Sequence, residues 1–218
     1  MPLEGVQAAF ESDLTESIRA YEELATTKTF TQASDFTHED ICLLEGILSH
    51  TWQGWCRFCR TLIMESCQGT VDMSGLQLPQ LPGALSEHHV SGAAARIKQR
   101  RTPIWGFPNT ILRFEPTWGD VDVLTDIITR TAPANSATLL GMCTLASPSS
   151  KILQGTRNAA AHHNHQTVSD LLRMGGAYTT FPITHPCQAL LWVENSSGMY
   201  LFSGAIDGLL TASIHAII

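Results

Sequence analysis

The chain has 218 residues, of which 44% are hydrophobic and 15% are charged. Because soluble domains usually carry about 25% charged residues, we expect part of the surface to be covered in a homodimer; a monomer with a large core is the alternative. The net charge of −7 excludes broad, nonspecific coating of nucleic acid, but it leaves room for RNA binding at one local basic site.

Helical spacing of apolar residues predicts two helices in the first third of the chain, over 12–27 and 41–67. Thr37 and Asp40 have the spacing of an N-cap and a first-turn acid, so they are expected to start the second helix. Gly69 stands where that helix would end.

Two pairs of side chains in this second helix invite a functional interpretation. Trp52 and Trp55 fall in its apolar stripe, where core packing or a dimer seam is favoured over base stacking. Cys56 and Cys59 have CxxC spacing. No second pair follows to complete a zinc site and no strand precedes them as in a redox motif, so we expect helix-buried free thiols.

Proline and glycine punctuate the middle of the chain. We expect a loop over 70–83, a helix over 85–100 and an irregular stretch over 102–116, in which 111–114 are extended. A further helix is expected over 117–130.

The second half of the chain predicts two helices in succession. Asn135 is placed to cap a short helix over 136–145. The segment Ser147-Pro148-Ser149 then predicts the start of a second helix, over about 149–174.

Two short β-prone runs, 190–193 and 199–202, flank a Gly-containing turn and predict a small C-terminal β-hairpin; a broken helix is the alternative. A final helix is expected from 203 onward. These elements together predict a single all-α domain over 1–218 with a small β accessory.

Three residues of the helix expected over 149–174 have a chemically suggestive pattern. Asn158 and His162 are four residues apart and share a helix face, within reach of a side-chain hydrogen bond. Arg157 and His162 point about 140° apart on a straight helix. Histidine can move a proton near neutral pH, arginine holds a phosphate through a charged fork of donors, and a nearby amide can orient the imidazole. This combination suits RNA cleavage in which the 2′-hydroxyl attacks the adjacent phosphorus and no metal is required.

The segment Arg157-Asn158-Ala159-Ala160-Ala161-His162 resembles the signature of the HEPN superfamily of ribonucleases. In that signature an arginine precedes a histidine by four to six intervening residues, with a polar residue preferred directly after the arginine. The resemblance implies a HEPN-like helical bundle with extra helices, which dimerises so that two motifs meet in a composite cleft. It also implies metal-independent endoribonuclease activity without a cofactor, commonly in toxin–antitoxin or phage-defence systems. Arg157 and His162 would be the catalytic pair and Asn158 their polar neighbour, and RNA and an antitoxin or regulatory protein would be partners.

Other interpretations stand beside this one. A non-catalytic HEPN-like module would bind nucleotide, RNA or a protein without turnover. A metal site on His162 and His165, with His185 or Cys187, lacks a carboxylate at a helpful spacing, so no residue is assigned to a metal. The arginine and histidines could also have a purely structural role.

Two further residues are candidates for the site. His163 also satisfies the loose spacing of the motif and is retained as a helper, although His162 is preferred because it shares a face with Asn158. Glu45 interrupts the apolar face of the second helix and is a candidate partner of Arg157.

Four basic residues form what we term the basic cluster: Arg96, Lys98, Arg100 and Arg101. A solvated helix end is its simpler interpretation. In a ribonuclease, the basic cluster would be the natural place for flanking RNA phosphates. No apolar run reaches the roughly 18 residues of a membrane span, and no signal peptide is evident. We therefore expect a cytoplasmic protein with no membrane partner.

Overall fold

The computed structural model describes residues 1–103, 105, 112–162 and 164–218. Helices dominate these residues, with two sheets of two strands each, which confirms the all-α class predicted from the sequence. No helix in this part of the chain is both long and apolar enough to cross a bilayer. The candidate helper His163 and residue Ile111 of the predicted extended stretch lie outside the described residues.

Seven α-helices occur in the described ranges: α1 Leu3–Thr27, α2 His38–Gln68, α3 Glu87–Lys98, α4 Val121–Thr131, α5 Ser136–His162, α6 His165–Met174 and α7 Leu201–His215. The four strands are β1 Thr70–Val71, β2 Gln77–Leu78, β3 Tyr178–Thr179 and β4 Val193–Glu194. Strands β1 and β2 pair antiparallel, as do β3 and β4.

Helix α2 begins and ends where its local sequence predicts. The Thr37 hydroxyl accepts a hydrogen bond from the Asp40 backbone N–H at 3.2 Å, and the Asp40 carboxylate accepts one from the Thr37 N–H at 2.8 Å. This reciprocal cap satisfies two donors of the first turn. Gly69 ends the helix with φ +91°, a left-handed conformation that glycine adopts without steric cost.

Contacts divide the chain into two compact units. The first comprises Met1–Glu11, Trp55–Ser147 and Leu210–Ile218, and the second comprises Ser12–Gly54 and Pro148–Leu209. The single domain over 1–218 stays a prediction. The motif residues 157–162 belong to the second unit, and the basic cluster belongs to the first.

An aromatic cluster lies in the core of the first unit. The Phe10 ring stacks on Phe58 with centroids 4.8 Å apart, and Trp55 lies 5.5 Å from Phe58. The Trp55 indole N–H donates to the Gly119 carbonyl at 3.1 Å, which holds the segment before α4. Helix α4 therefore begins at Val121, later than predicted, with the Asp120 carboxylate accepting from two backbone N–H groups of its first turn.

The core of the second unit is organised around Tyr21 of α1. Its ring packs on Phe202 with centroids 4.5 Å apart, and its buried hydroxyl donates to the Leu190 carbonyl at 2.9 Å. The predicted hairpin is present but short, with Val193 bridging Tyr200. Leu190 instead lies in the 3-10 helix Pro186–Leu191.

Several local predictions from the middle of the chain need correction. The stretch predicted as a loop over 70–83 contains β1 and β2. Leu112–Phe114 is a 3-10 turn rather than extended.

Trp52 and Trp55 of α2 are both buried, which confirms core packing over base stacking.

The described residues include all six cysteines, and none of them forms a disulfide. Cys59 is buried and Cys56 half-buried, in line with thiols packed within a helix. Burial raises the pKa of the Cys59 thiol well above its ordinary range. The CxxC spacing is therefore a feature of helix packing, since a reactive thiol needs exposure and a lowered pKa.

Candidate functional site: the end of helix α5

The motif occupies the C-terminal end of α5, and the helix that carries it differs from the prediction at both ends. Helix α5 continues through Pro148 from Ser136 to His162, so the predicted break between 145 and 149 is wrong. The predicted helix over 149–174 is also wrong, because α6 begins separately at His165.

Asn164 causes the second helix to start anew. Its side-chain oxygen accepts hydrogen bonds from the backbone N–H groups of Gln166 and Thr167, both at 3.0 Å. These bonds satisfy two donors that a new helix would otherwise leave without partners. His162 is therefore the last residue of its helix rather than a position in mid-helix.

The two expected catalytic side chains are exposed, whereas Ala159 between them is buried. Asn158 is half-buried and accepts a long hydrogen bond, 3.4 Å, from Nη1 of Arg157. Among the described residues, the His162 imidazole has no hydrogen-bonding partner, so the amide lies with the arginine rather than with the imidazole. The Arg157 guanidinium and the His162 imidazole are therefore both accessible to a phosphate that approaches from solvent.

The basic cluster lies at the end of α3, in the first unit. Lys98, Arg100 and Arg101 are exposed, and Arg96 is half-buried. The guanidinium of Arg96 donates to the Thr102 carbonyl at 3.0 Å, and Arg100 has φ +58°. Lys98 at the end of α3 and Arg100 and Arg101 in the turn after it are therefore accessible to anionic ligands.

Glu45 contacts a histidine rather than the motif arginine. Its carboxylate lies 3.3 Å from Nε2 of His185, whereas the side chain of Arg157 bonds to Asn158. The proposed pairing of Glu45 with Arg157 is therefore not the contact found. The backbone N–H of Cys187 donates to Nδ1 of the same His185 at 3.3 Å, so a neutral imidazole carries its proton on Nε2, facing the carboxylate.

Glu45, His185 and Cys187 together form what we term the Glu–His–Cys cluster, whose side-chain N, O and S atoms lie within 4.8 Å of one another. Burial, with a smaller contribution from the negative charge of Glu45, raises the pKa of the Cys187 thiol to about 12. The spacing of His185 and Cys187 is visible in the sequence, but their contact with Glu45 depends on the fold and was missed.

A cavity of about 150 Å³ also lies in the second unit. Its lining includes polar Ser149, Tyr178, Glu194 and Tyr200 beside apolar Ile152 and Leu201. Burial, followed by the charge of Glu194, raises the pKa of Tyr178. Neither Arg157 nor His162 lines this cavity, so the motif lies on the surface and not within it.

No protein-family model, curated protein or solved structure matches the chain. The resemblance to the HEPN signature therefore depends on residues 157–162 and on the helical class of the fold.

Proposed function

We propose that the protein is a metal-independent endoribonuclease of the HEPN type, in which Arg157 and His162 act on one phosphodiester. The observation that carries the proposal is the availability of both side chains: each is exposed, and within the described residues neither takes part in an ion pair. The long Arg157–Asn158 hydrogen bond can be exchanged for stronger, charge-assisted bonds to phosphate.

The chemistry requires two proton transfers and stabilisation of negative charge. The 2′-hydroxyl loses a proton as its oxygen bonds to phosphorus, and the departing 5′-oxygen gains one, which leaves a 2′,3′-cyclic phosphate and a 5′-hydroxyl. His162 serves as the general acid or base, since imidazole exchanges protons near neutral pH. Arg157 stabilises the charge on the non-bridging oxygens, because its guanidinium remains protonated.

A second copy of the chain is part of this proposal. On a straight helix, residues five apart are separated by about 7.5 Å along the axis and about 140° around it, which is unfavourable for converging on one phosphate. A two-fold axis near the helix end would bring Arg157 of one copy toward His162 of the other. The low charged fraction of 15% supports association, since it leaves less polar surface than usual.

RNA binding by the basic cluster is the next element of the proposal. Lys98, Arg100 and Arg101 are exposed, and each phosphate neutralised by such a residue makes binding more sensitive to salt. A role as a toxin or phage-defence effector, held in check by an antitoxin or regulatory protein, is consistent with this activity.

The decisive experiment is cleavage of mixed single-stranded and transfer RNA in excess EDTA. Wild type is compared with Arg157→Ala and His162→Ala, and with matched controls Arg173→Ala and His165→Ala, which remove exposed residues of the same types from α6. Wild type and controls should leave cyclic phosphate ends, and each motif variant should be slower by about 10²-fold or more. A folded His162→Ala protein with full activity would contradict the proposal.

A non-catalytic module that binds RNA, nucleotide or protein is the second candidate. The absence of an orienting hydrogen bond on His162 among the described residues favours it, because general acid–base catalysis depends on a positioned imidazole. This candidate expects tight RNA binding without cleavage, unchanged by His162→Gln. RNA cleavage in EDTA by wild type and the matched controls, but not by the motif variants, would exclude it.

A further inference from the structure

We infer that the Glu–His–Cys cluster binds a divalent transition-metal ion, with zinc the ion that its ligand set fits best. The inference is independent of the proposed ribonuclease activity. The sequence suggested His185 and Cys187 only as partners of His162 and His165 in a metal site, and it did not suggest Glu45 as a metal ligand.

The fold holds two of the three ligands in a defined turn. His185 and Cys187 flank Pro186 at the start of the 3-10 helix Pro186–Leu191. The Gln188 side-chain oxygen accepts from the His185 backbone N–H at 3.0 Å, and its amide donates to the Ala33 carbonyl at 3.1 Å. These bonds tie the turn down on both sides, so that His185 and Cys187 are held before an ion arrives. Such preorganisation lowers the cost of ordering the ligands.

The third ligand, Glu45, comes from α2, and its side chain can adjust its position to an ion. Its side chain is 46% exposed, so it can rotate without disturbing the core. The Glu45 carboxylate and Nε2 of His185 are already 3.3 Å apart, close to the roughly 3.4 Å between N and O ligands of tetrahedral zinc with bonds of about 2.1 Å. The three ligand atoms all lie within 4.8 Å of one another, so the remaining closure concerns the Cys187 sulfur.

The ligand set matches zinc in both atom type and charge. Thiolate, imidazole and carboxylate are its three common protein ligands, and sites with three of them keep a fourth position for water. One carboxylate and one thiolate balance the two positive charges of the ion. Hard cations such as magnesium and calcium prefer oxygen alone, so the nitrogen and sulfur donors select against them.

Binding requires a rearrangement of protons. The Cys187 thiol loses its proton to solvent, and the imidazole proton moves from Nε2 to Nδ1 so that Nε2 can donate its lone pair. Protonated Nδ1 can no longer accept from the Cys187 N–H, so that 3.3 Å hydrogen bond is given up. The contact of Nε2 with the Glu45 carboxylate is also given up, and three bonds to the ion replace these contacts.

The same three residue types also form arrays in which a cysteine acts as nucleophile, but burial excludes that role for Cys187. Cys187 is 0% exposed, whereas a nucleophilic cysteine needs access to its substrate. The partly exposed side chains of His185 and Glu45 give a small ion a route that a substrate would lack.

The test is titration of chelator-stripped protein with Co²⁺, a spectroscopic substitute for zinc, followed by competition with Zn²⁺. Wild type should bind one Co²⁺ per chain with a thiolate-to-cobalt charge-transfer band in the near ultraviolet, and Zn²⁺ should abolish it. Cys187→Ser should lose the band, and Glu45→Gln should weaken binding more than tenfold. The matched control is Cys42→Ser, because Cys42 is an exposed thiol 3.6 Å from Nε2 of His38 on α2; it should behave as wild type.

No charge-transfer band in wild type, or a band lost in Cys42→Ser but kept in Cys187→Ser, would overturn the inference. Because Cys187 is buried and its variant can misfold, the exposed Glu45→Gln variant supplies a second decision. Stoichiometric Zn²⁺ should raise the Tm of wild type and raise that of Glu45→Gln less; equal shifts would contradict the site. Cys187→Ser and Glu45→Gln should both keep the ribonuclease activity measured in EDTA. A failure of the metal site can therefore be distinguished from a failure of the proposed ribonuclease activity.

Discussion

The Arg60 guanidinium donates two parallel hydrogen bonds to the Glu115 carboxylate, from Nε at 2.7 Å and from Nη2 at 2.8 Å. The Ser91 hydroxyl and the Trp118 indole donate to the same carboxylate. The side chains of Arg60 and Glu115 are only 27% and 13% exposed. One carboxylate thus joins α2, α3 and the turn before α4 within the first unit.

Replacement of this carboxylate should destabilise the fold. Glu115→Gln keeps the shape but removes the charge that accepts from Arg60, so we expect a loss of about 2 kcal/mol in the free energy of unfolding. Urea denaturation measures it. Glu16→Gln is the control, because Glu16 and its partner Arg19 are 72% and 67% exposed, and such pairs contribute little. Equal stability of the two variants would contradict the role given to Glu115.

The same network should make stability depend on pH. Burial opposes ionisation of Glu115, but hydrogen bonds from Arg60, Ser91 and Trp118 together outweigh it and lower the pKa of this carboxyl. Its stabilising contribution is therefore present above the unfolded pKa of about 4.3 and is lost as pH falls through the lower folded pKa. Wild type should lose stability below about pH 4.3 more steeply than Glu115→Gln.

The Glu115→Gln variant should still lose some stability at low pH, because a second buried carboxylate contributes to it. Burial opposes ionisation of Asp40, but hydrogen bonds from Lys28 and Thr37 outweigh it and lower its pKa. Denaturant titrations at several pH values between neutrality and acid compare the two slopes. Identical slopes in wild type and Glu115→Gln would show that the Glu115 network contributes nothing to acid unfolding.

Pro148→Ala should stabilise the protein. Proline inside α5 leaves the carbonyl one turn earlier without its helical donor, which costs about 3 kcal/mol in a helix interior. The greater freedom of the unfolded chain offsets part of the gain, so we expect a net increase of about 1 kcal/mol. Thermal and urea unfolding measure it.

Pro79→Ala provides the matched control, because Pro79 is exposed and lies outside any helix. Only the entropy of the unfolded chain changes there, so a small loss of stability is expected. A loss at both prolines would mean that the α5 backbone already accommodates Pro148 without cost.

Mixed dimers should test whether the site is composite. Arg157→Ala and His162→Ala are each expected to be inactive, but a dimer of one copy of each contains one intact arginine and one intact histidine on different chains. If the two act across the dimer, co-refolded mixtures should recover up to about half of the wild-type rate per dimer that contains one of each copy. RNA cleavage by the mixture measures it, and separately refolded proteins mixed without exchange are the control. If a verified heterodimer recovers no activity, then either Arg157 and His162 act within one chain or this pair does not catalyse the cleavage.

The elements that the sequence predicted well depend on neighbouring residues. Thr37, Asp40 and Gly69 define α2 through contacts with the backbone a few positions away, so the pattern alone was sufficient. The position of Trp55 in the apolar stripe likewise predicted its burial. Such features can be predicted because they depend on residues close together in the sequence.

The predictions for α5 were wrong because tertiary packing and one missed cap decided its length. Pro148 is exposed while Ala146 and Ser149 beside it are buried, so packing on both sides keeps the helix continuous despite the missing donor. The Asn164 cap that ends the continuous pattern was visible in the sequence, since Thr167 stands three residues later.

The two sites differ in the same way. The Arg157, Asn158 and His162 pattern is contained in one turn and a half of helix, so spacing alone singles it out. The contact of Glu45 with His185 joins segments far apart in the chain, and no local pattern encodes it. The sequence drew attention to each residue separately but assigned Glu45 to a different partner.

Four cysteine thiols, at positions 59, 67, 143 and 187, are buried, so their reaction with a reagent reports on local unfolding of the protein. Cys59, Cys67 and Cys143 belong to the first compact unit, and Cys187 belongs to the second. An alkylating reagent that modifies Cys42 at once must wait for an opening fluctuation to reach these thiols. Mass spectrometry of the labelled peptides would therefore time the fluctuations of each unit separately, in the wild-type sequence and without an added probe.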